Sequence, residues 1–171
     1  MDACSKPLLL LTNPCEPRLL KLGEHMLSKE YFPHHKLDMS PNLKKQLISY
    51  YDFLVAYQNL LRDVDVTDAE MEIQTPADIP VSSTAEQGKI WTFSKQRDNQ
   101  RMLHLINFAD NSTMEWRDTE ASQPIPVEKK YLEMVLKTDR KPKKIWFASP
   151  DVKGGLPQKL SFTYKDGAVS F

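Results

Sequence analysis

One change of period constrains this chain more than any other feature. Up to about residue 63 the apolar residues recur at helical spacing, and beyond it they alternate in short runs broken by turn residues. Ser40-Pro41 supplies a hydroxyl N-cap and a proline at the first helical position, where the missing N–H costs nothing. Leu43, Leu47, Tyr50, Leu54, Tyr57 and Leu61 then repeat at spacings of four and three, which predicts one long helix over about 41–63. Phe53, Val55 and Leu60 widen its apolar surface beyond a single stripe, as in a helix packed between two neighbours.

After Asp63-Val64-Asp65-Val66 the pattern is that of strands. Met71, Ile73 and Thr75 alternate with polar positions, as do Trp91 and Phe93, then Met102, His104, Ile106 and Phe108, then Ile145 and Phe147, and finally Leu160, Phe162 and Tyr164. Prolines, Gly88, Asp98-Asn99, Asp110-Asn111, Gly154-Gly155 and Asp166-Gly167 punctuate them. About seven or eight such strands in this length predict an antiparallel sandwich. Asp166-Gly167 is a two-residue hairpin signal with Tyr164, Val169 and Phe171 as inward positions. A chain stopping on Phe171 in mid-strand predicts a carboxy-terminal truncation.

Composition excludes several classes of partner. The 171 residues carry 23 Lys and Arg against 23 Asp and Glu, so no long-range positive field gathers nucleic acid or a membrane surface. The longest apolar run, Leu8 to Leu11, is far short of the roughly 20 residues that span a bilayer. It is also too short for a secretory signal, and Thr12-Asn13-Pro14 offers no cleavage site. Cys4 and Cys15 stand in no zinc or redox spacing and read as free thiols. No metal site is expected. His25, Glu30, His34 and His35 are close in sequence but form no HExxH, and the run from Asp63 has Asp68 where a calcium loop needs glycine and Gln74 where it needs glutamate.

Upstream of the helix, Leu19, Leu20 and Leu22 precede an acidic, aromatic stretch from Gly23 to Pro33, the order found where a barrel strand ends and its active-site loop begins. A (β/α)8 barrel needs about 250 residues, and only about 64 precede the strands, so the reading is a remnant of the last part of a barrel. The expected fold is therefore mainly β, an antiparallel Greek-key β-sandwich (65–171) preceded by that remnant (1–64) with its one long helix.

Several segments together resemble glycoside hydrolase family 66, the dextranases and cycloisomaltooligosaccharide glucanotransferases. They are Leu10-Leu11-Thr12-Asn13, Leu22-Gly23-Glu24, Met26 to Pro33, Tyr50 to Asp63, His104-Leu105-Ile106-Asn107-Phe108 and Trp116-Arg117-Asp118, in the family's order. The resemblance implies a catalytic barrel followed by a Greek-key sandwich, with only the barrel's last portion and the sandwich represented here. It implies retaining chemistry on α-1,6-glucan, in which an aspartate attacks the anomeric carbon and a glutamate, its carboxyl about 5 to 5.5 Å from the aspartate's, donates and then removes a proton. Both lie on segments upstream of anything matched in this chain, so no catalytic residue, cofactor or metal is assigned, and the chain alone is expected to be inert.

Glu24 and Tyr31 are expected to line a sugar cleft in the complete enzyme, and Trp116 is the candidate for stacking on a sugar from the sandwich. Trp91 and Trp146 stand in strand patterns, where burial of at least one is the default. The expected ligand is dextran or isomaltooligosaccharide. The alternative is a free-standing non-catalytic β-module that binds glucan or a protein. An orphaned barrel tail is expected to self-associate through the exposed side of the helix. The family is often extracellular, while this chain shows no signal peptide, which leaves the compartment open.

Overall fold

The computed structural model describes residues 25–29, 32–38, 40–75, 79–114, 127–130 and 132–171, the first two segments through their backbone alone. Among the described residues the protein is mainly β, with a helical segment between residues 41 and 61 and a 3-10 turn at Lys153–Gly155. Near the amino terminus, β1 (His25–Lys29) and β2 (Phe32–Asp38) pair antiparallel with two register irregularities. The stretch read as an irregular loop thus carries a strand pair. Leu19, Leu20, Leu22, Cys4 and Cys15 lie outside the described residues.

Helix α1 (Pro41–Ala56) begins as its sequence dictates, with Ser40 Oγ accepting from Leu43 N–H at 3.1 Å and Pro41 in the first turn. Leu43 and Tyr50, seven residues apart on the predicted stripe, are each 2% exposed, whereas Ile48 and Val55 on another face are 61% and 73% exposed. The single long helix expected over 41–63 is interrupted. Tyr57 leaves helical geometry at φ −110°, and only the short helix α2 (Gln58–Leu61) follows. The break coincides with a tertiary tether: the Tyr57 ring packs on Phe53 at 4.8 Å, and its hydroxyl donates to Gly155 O at 2.8 Å.

Ten strands follow. They are β3 (Thr67–Ala69), β4 (Ile73–Gln74), β5 (Val81–Ser82), β6 (Ile90–Arg97), β7 (Gln100–Asn107), β8 (Val135–Lys137), β9 (Ile145–Phe147), β10 (Gln158–Leu160), β11 (Thr163–Lys165) and β12 (Ala168–Ser170). One four-stranded sheet is centred on β6, which pairs along its whole length with β7 and shares its other edge between β3 and β5. The other runs β11-β12-β8-β4, and β9-β10 form a separate two-stranded ladder. The segment Leu160 to Tyr164, read as one strand, is divided between β10 and β11.

One pairing departs from the expected antiparallel plan, since β5 runs parallel to β6. Parallel neighbours normally need a crossover of a dozen or more residues, and here a short turn does the work of one. Ile90 N–H donates to Pro80 O at 2.9 Å and Trp91 Nε1–H to Ser83 O at 3.1 Å. Within the turn, the Glu86 carboxylate accepts from Ser82, from Thr84 at 2.9 Å and from Lys89 at 2.6 Å.

Along β6, Ile90, Thr92 and Ser94 are buried while Trp91 and Phe93 between them are half-buried. The aromatic face carries Phe93 stacked on its cross-strand partner His104 (4.5 Å, 4°) and Trp91 beside Phe93 (4.9 Å) and Phe108 (6.4 Å). The second sheet contributes Leu136 and Val169, cross-strand partners on β8 and β12, to the buried set with Met134. The hairpin read at Asp166-Gly167 is present, with φ of 51° and 74° as a two-residue turn of this kind requires, and Tyr164 faces Val169 across it.

Candidate functional site

The three residues singled out for sugar binding, Glu24, Tyr31 and Trp116, all lie outside the described residues. So does Glu30, and the side chains of His25, His34 and His35 are likewise not described. Among the described residues, no group of three or more His, Cys, Asp or Glu is placed to hold a metal ion.

Trp91 and Trp146 have opposite surroundings. Trp91 is committed to the fold, because its indole N–H is used on Ser83 O and its ring lies against Phe93 and Phe108. Trp146 is 54% exposed. Strand alternation explains its position: on the β9-β10 ladder it faces Lys159, while its neighbours Ile145 and Phe147 face Leu160 and Gln158 from the other side. On that side Ile145 and Leu160 are half-buried and Phe147 is 37% exposed, while Trp146 and Lys159 on the other side are both exposed. A shallow depression lined by Lys159, Leu160, Ser161 and Phe162 adjoins them.

This surface was hidden in the sequence by the strand pattern around Trp146, which makes burial the default. The signal that could have found it is the basic run Arg140-Lys141-Pro142-Lys143-Lys144 immediately before β9, since so many charges seldom lead into a strand buried on both faces.

Four ionisable groups elsewhere depart from their ordinary titration. Lys89, with the hydroxyls of Ser82 and Thr84, pulls the Glu86 carboxyl down to about 2. Lys137 lowers Glu72 through a 2.6 Å ion pair. Both remain carboxylates at neutral pH, unable to donate a proton as a glycosidase acid must. Asp151 is raised by desolvation, and it belongs to an exposed turn whose backbone N–H donates to Ser149 Oγ at 3.2 Å. His104 is pushed down to about 4 by burial first and Lys95 second, so it is neutral at physiological pH. The described surface can therefore present an aromatic ring and ammonium groups to a ligand, which is binding chemistry.

Comparison with known proteins sets this geometry in a family. The model of glycosyl hydrolase family 66 matches residues 17–171. A cycloisomaltooligosaccharide glucanotransferase of Niallia circulans is 32% identical over 148 residues, 84% of this chain and 15% of that enzyme. A dextranase of Streptococcus salivarius is 28% identical over 88 residues, 48% of this chain and 11% of its own length. The crystal structure of a Paenibacillus sp. cycloisomaltooligosaccharide glucanotransferase complexed with cycloisomaltoheptaose superposes with a TM-score of 0.75 at 28% identity, over 85% of this chain and 21% of that one. The chain thus spans about a sixth of the length of the first of these relatives, and it belongs to glycosyl hydrolase family 66.

Proposed function

We propose that this chain is the carboxy-terminal portion of an α-1,6-glucan (dextran)-acting glycoside hydrolase or glucanotransferase and does not catalyse on its own. On this reading, residues 1–64 are the last portion of a (β/α)8 barrel, and 65–171 form a Greek-key sandwich that buttresses it. The observation that carries it is the pairing of a family match over 17–171 with coverage of only 15% of a relative's length. The tether of Tyr57 and Phe53 to the Gly155 turn supports the buttress, since it fixes a helical segment to the β part at a point far apart in sequence.

Glu24 and Tyr31 would then line the cleft of the complete enzyme, where Glu24 can accept hydrogen bonds from sugar hydroxyls and Tyr31 can offer a flat apolar face. Trp116 would stack on a sugar from the sandwich. Incubating the purified 171-residue chain with dextran and following new reducing ends and cyclic products tests the central claim. No turnover is expected, and hydrolysis or transfer would overturn it. In the complete enzyme, Glu24→Gln should weaken turnover of isomaltooligosaccharides; unchanged kinetics would remove Glu24 from the cleft.

The exposed ring of Trp146 favours a second reading, a non-catalytic module that holds glucan. Retention on immobilised dextran without turnover, lost in Trp146→Ala, would establish that reading in place of the first.

A further inference from the structure

Charge is balanced over the whole chain but not over its surface. Of the seven described cations from Lys89 to Lys137, all but Arg101 have local counter-charges: Lys89 pairs with Glu86, Lys95 with Asp68, Arg97 with Asp63 and Asp65, Lys129 with Asp110, Lys130 with Glu128 and Lys137 with Glu72. Immediately afterwards the pattern inverts. Arg140, Lys141, Lys143, Lys144 and Lys159 are all exposed, and none of their side chains makes an ion pair with a described residue. Lys144 precedes Trp146 by two residues and Lys159 faces it across the ladder; its ring is exposed, and its indole N–H, unlike that of Trp91, makes no hydrogen bond to a described residue.

The scaffold beneath them is anchored. Thr138 N–H donates to Gly167 O at 2.8 Å, and the Thr138 hydroxyl bonds Arg140 O at 3.2 Å, which pins the start of the run to the β11-β12 hairpin. Pro142 fixes φ in the middle of the run and limits its collapse. At the far end, Lys144 is two residues from Trp146, the spacing that returns a strand side chain to the same face, and Lys159 is the cross-strand partner of Trp146.

We propose that this surface binds an anionic polysaccharide, a chain of sugar rings bearing sulfate, phosphate or carboxylate groups. An exposed indole offers a flat apolar face to the C–H face of a pyranose, and the flanking ammonium groups meet acidic substituents carried by the same or the next ring. The net charge of zero leaves no wide positive field of the kind that tracks a nucleic-acid backbone. The attraction acts at contact, within a screening length of about 10 Å at 0.1 M salt. The site does not depend on the inert-fragment reading; it shares Trp146 with the second reading above, which unmodified dextran binding as tightly as dextran sulfate would favour instead.

Titration calorimetry of the 171-residue chain with dextran sulfate, unmodified dextran, duplex DNA and phosphatidylglycerol vesicles tests the proposal. Dextran sulfate should bind, more weakly as sodium chloride is raised, and unmodified dextran should bind much less tightly. Lys143→Glu with Lys144→Glu should weaken dextran sulfate binding by about tenfold or more. Lys159→Glu is an independent variant on the other strand with the same expected direction, and Lys130→Glu, outside the patch, should leave binding unchanged. Trp146→Ala should weaken dextran sulfate binding at an unchanged thermal midpoint.

Dextran sulfate binding no tighter than dextran would overturn the proposal, as would wild-type affinity in the lysine variants. DNA or vesicles binding as tightly as dextran sulfate, with Trp146→Ala without effect, would also overturn it by exposing an indiscriminate cationic surface. Turnover of unmodified dextran would refute the inert-fragment reading and leave this one untouched.

Discussion

Gly155 shows how a single position can hold two parts of the molecule together. Its φ of 82° lies where side chains other than glycine are strained, and a Cβ built there would stand 3.1 Å from Phe53 Cδ2. Gly155→Ala should therefore lower stability by about 1–3 kcal/mol in urea unfolding, and Tyr57→Phe, which removes the hydrogen bond to Gly155 O, by about 1 kcal/mol.

His104 gives a pH prediction. It is neutral in the fold and titrates near 4, whereas in the unfolded chain it titrates near 6.5, so the unfolded state binds the extra proton between those values. Stability is thus full above pH 6.5 and declines as pH falls toward 4, by an amount of order 2 kcal/mol. His104→Phe, which keeps a ring against Phe93, should flatten that decline in urea titrations. Glu86 acts lower on the scale. Its carboxyl falls from 4.5 to about 2 in the fold, so its contribution is present above pH 4.5 and disappears toward pH 2, and Glu86→Gln should remove that part of the acid limb.

At the scale of elements, the sequence pattern of 41–63 specified a stripe, and the stripe is real: Leu43 and Tyr50 are its buried members. It did not specify where the helix would stop. A period of 3.6 continues through Tyr57, and the interruption belongs to contacts with residues 98 positions away. Beyond the break, Arg97 takes over the end of α2, donating to Asn59 O at 2.7 Å and approaching Asp63 at 3.4 Å and Asp65 at 3.8 Å. Lacking further helix, Asn59 O would otherwise depend on water. Arg97→Ala should cost about 1–2 kcal/mol and speed amide exchange across 58–62, while Arg97→Lys should restore only part. The tight hairpins were legible because Asp166-Gly167 meets a backbone requirement that few residue pairs satisfy. The parallel β5-β6 pair was not, since it depends on a side-chain network around Glu86 that no alternation of apolar residues encodes.

For the whole molecule, the exposed apolar face of α1 is the feature with the broadest consequence. Ile48 and Val55 are 61% and 73% exposed and about two helical turns apart, an arrangement that suits packing against a further element. If the face belongs to a barrel contact, the isolated chain should self-associate in light scattering, and Ile48→Glu with Val55→Glu should restore a monomer without altering the β part. A monodisperse wild-type monomer would count against the barrel-tail assignment of residues 1–64.

Local pattern determined the change from helix to strands near residue 64, the N-capped helix, the two-residue turns and, through residues spread over most of the chain's length, its family. These are properties of neighbouring residues, set by backbone geometry, propensity and spacing. Only the tertiary structure decided the break at Tyr57, the shared edge of β6 and the separation of Trp91 from Trp146. Two tryptophans in similar strand patterns have the same local preferences. Which one is enclosed depends on what the opposite strand and the neighbouring sheet bring to it, and those partners come from distant parts of the chain.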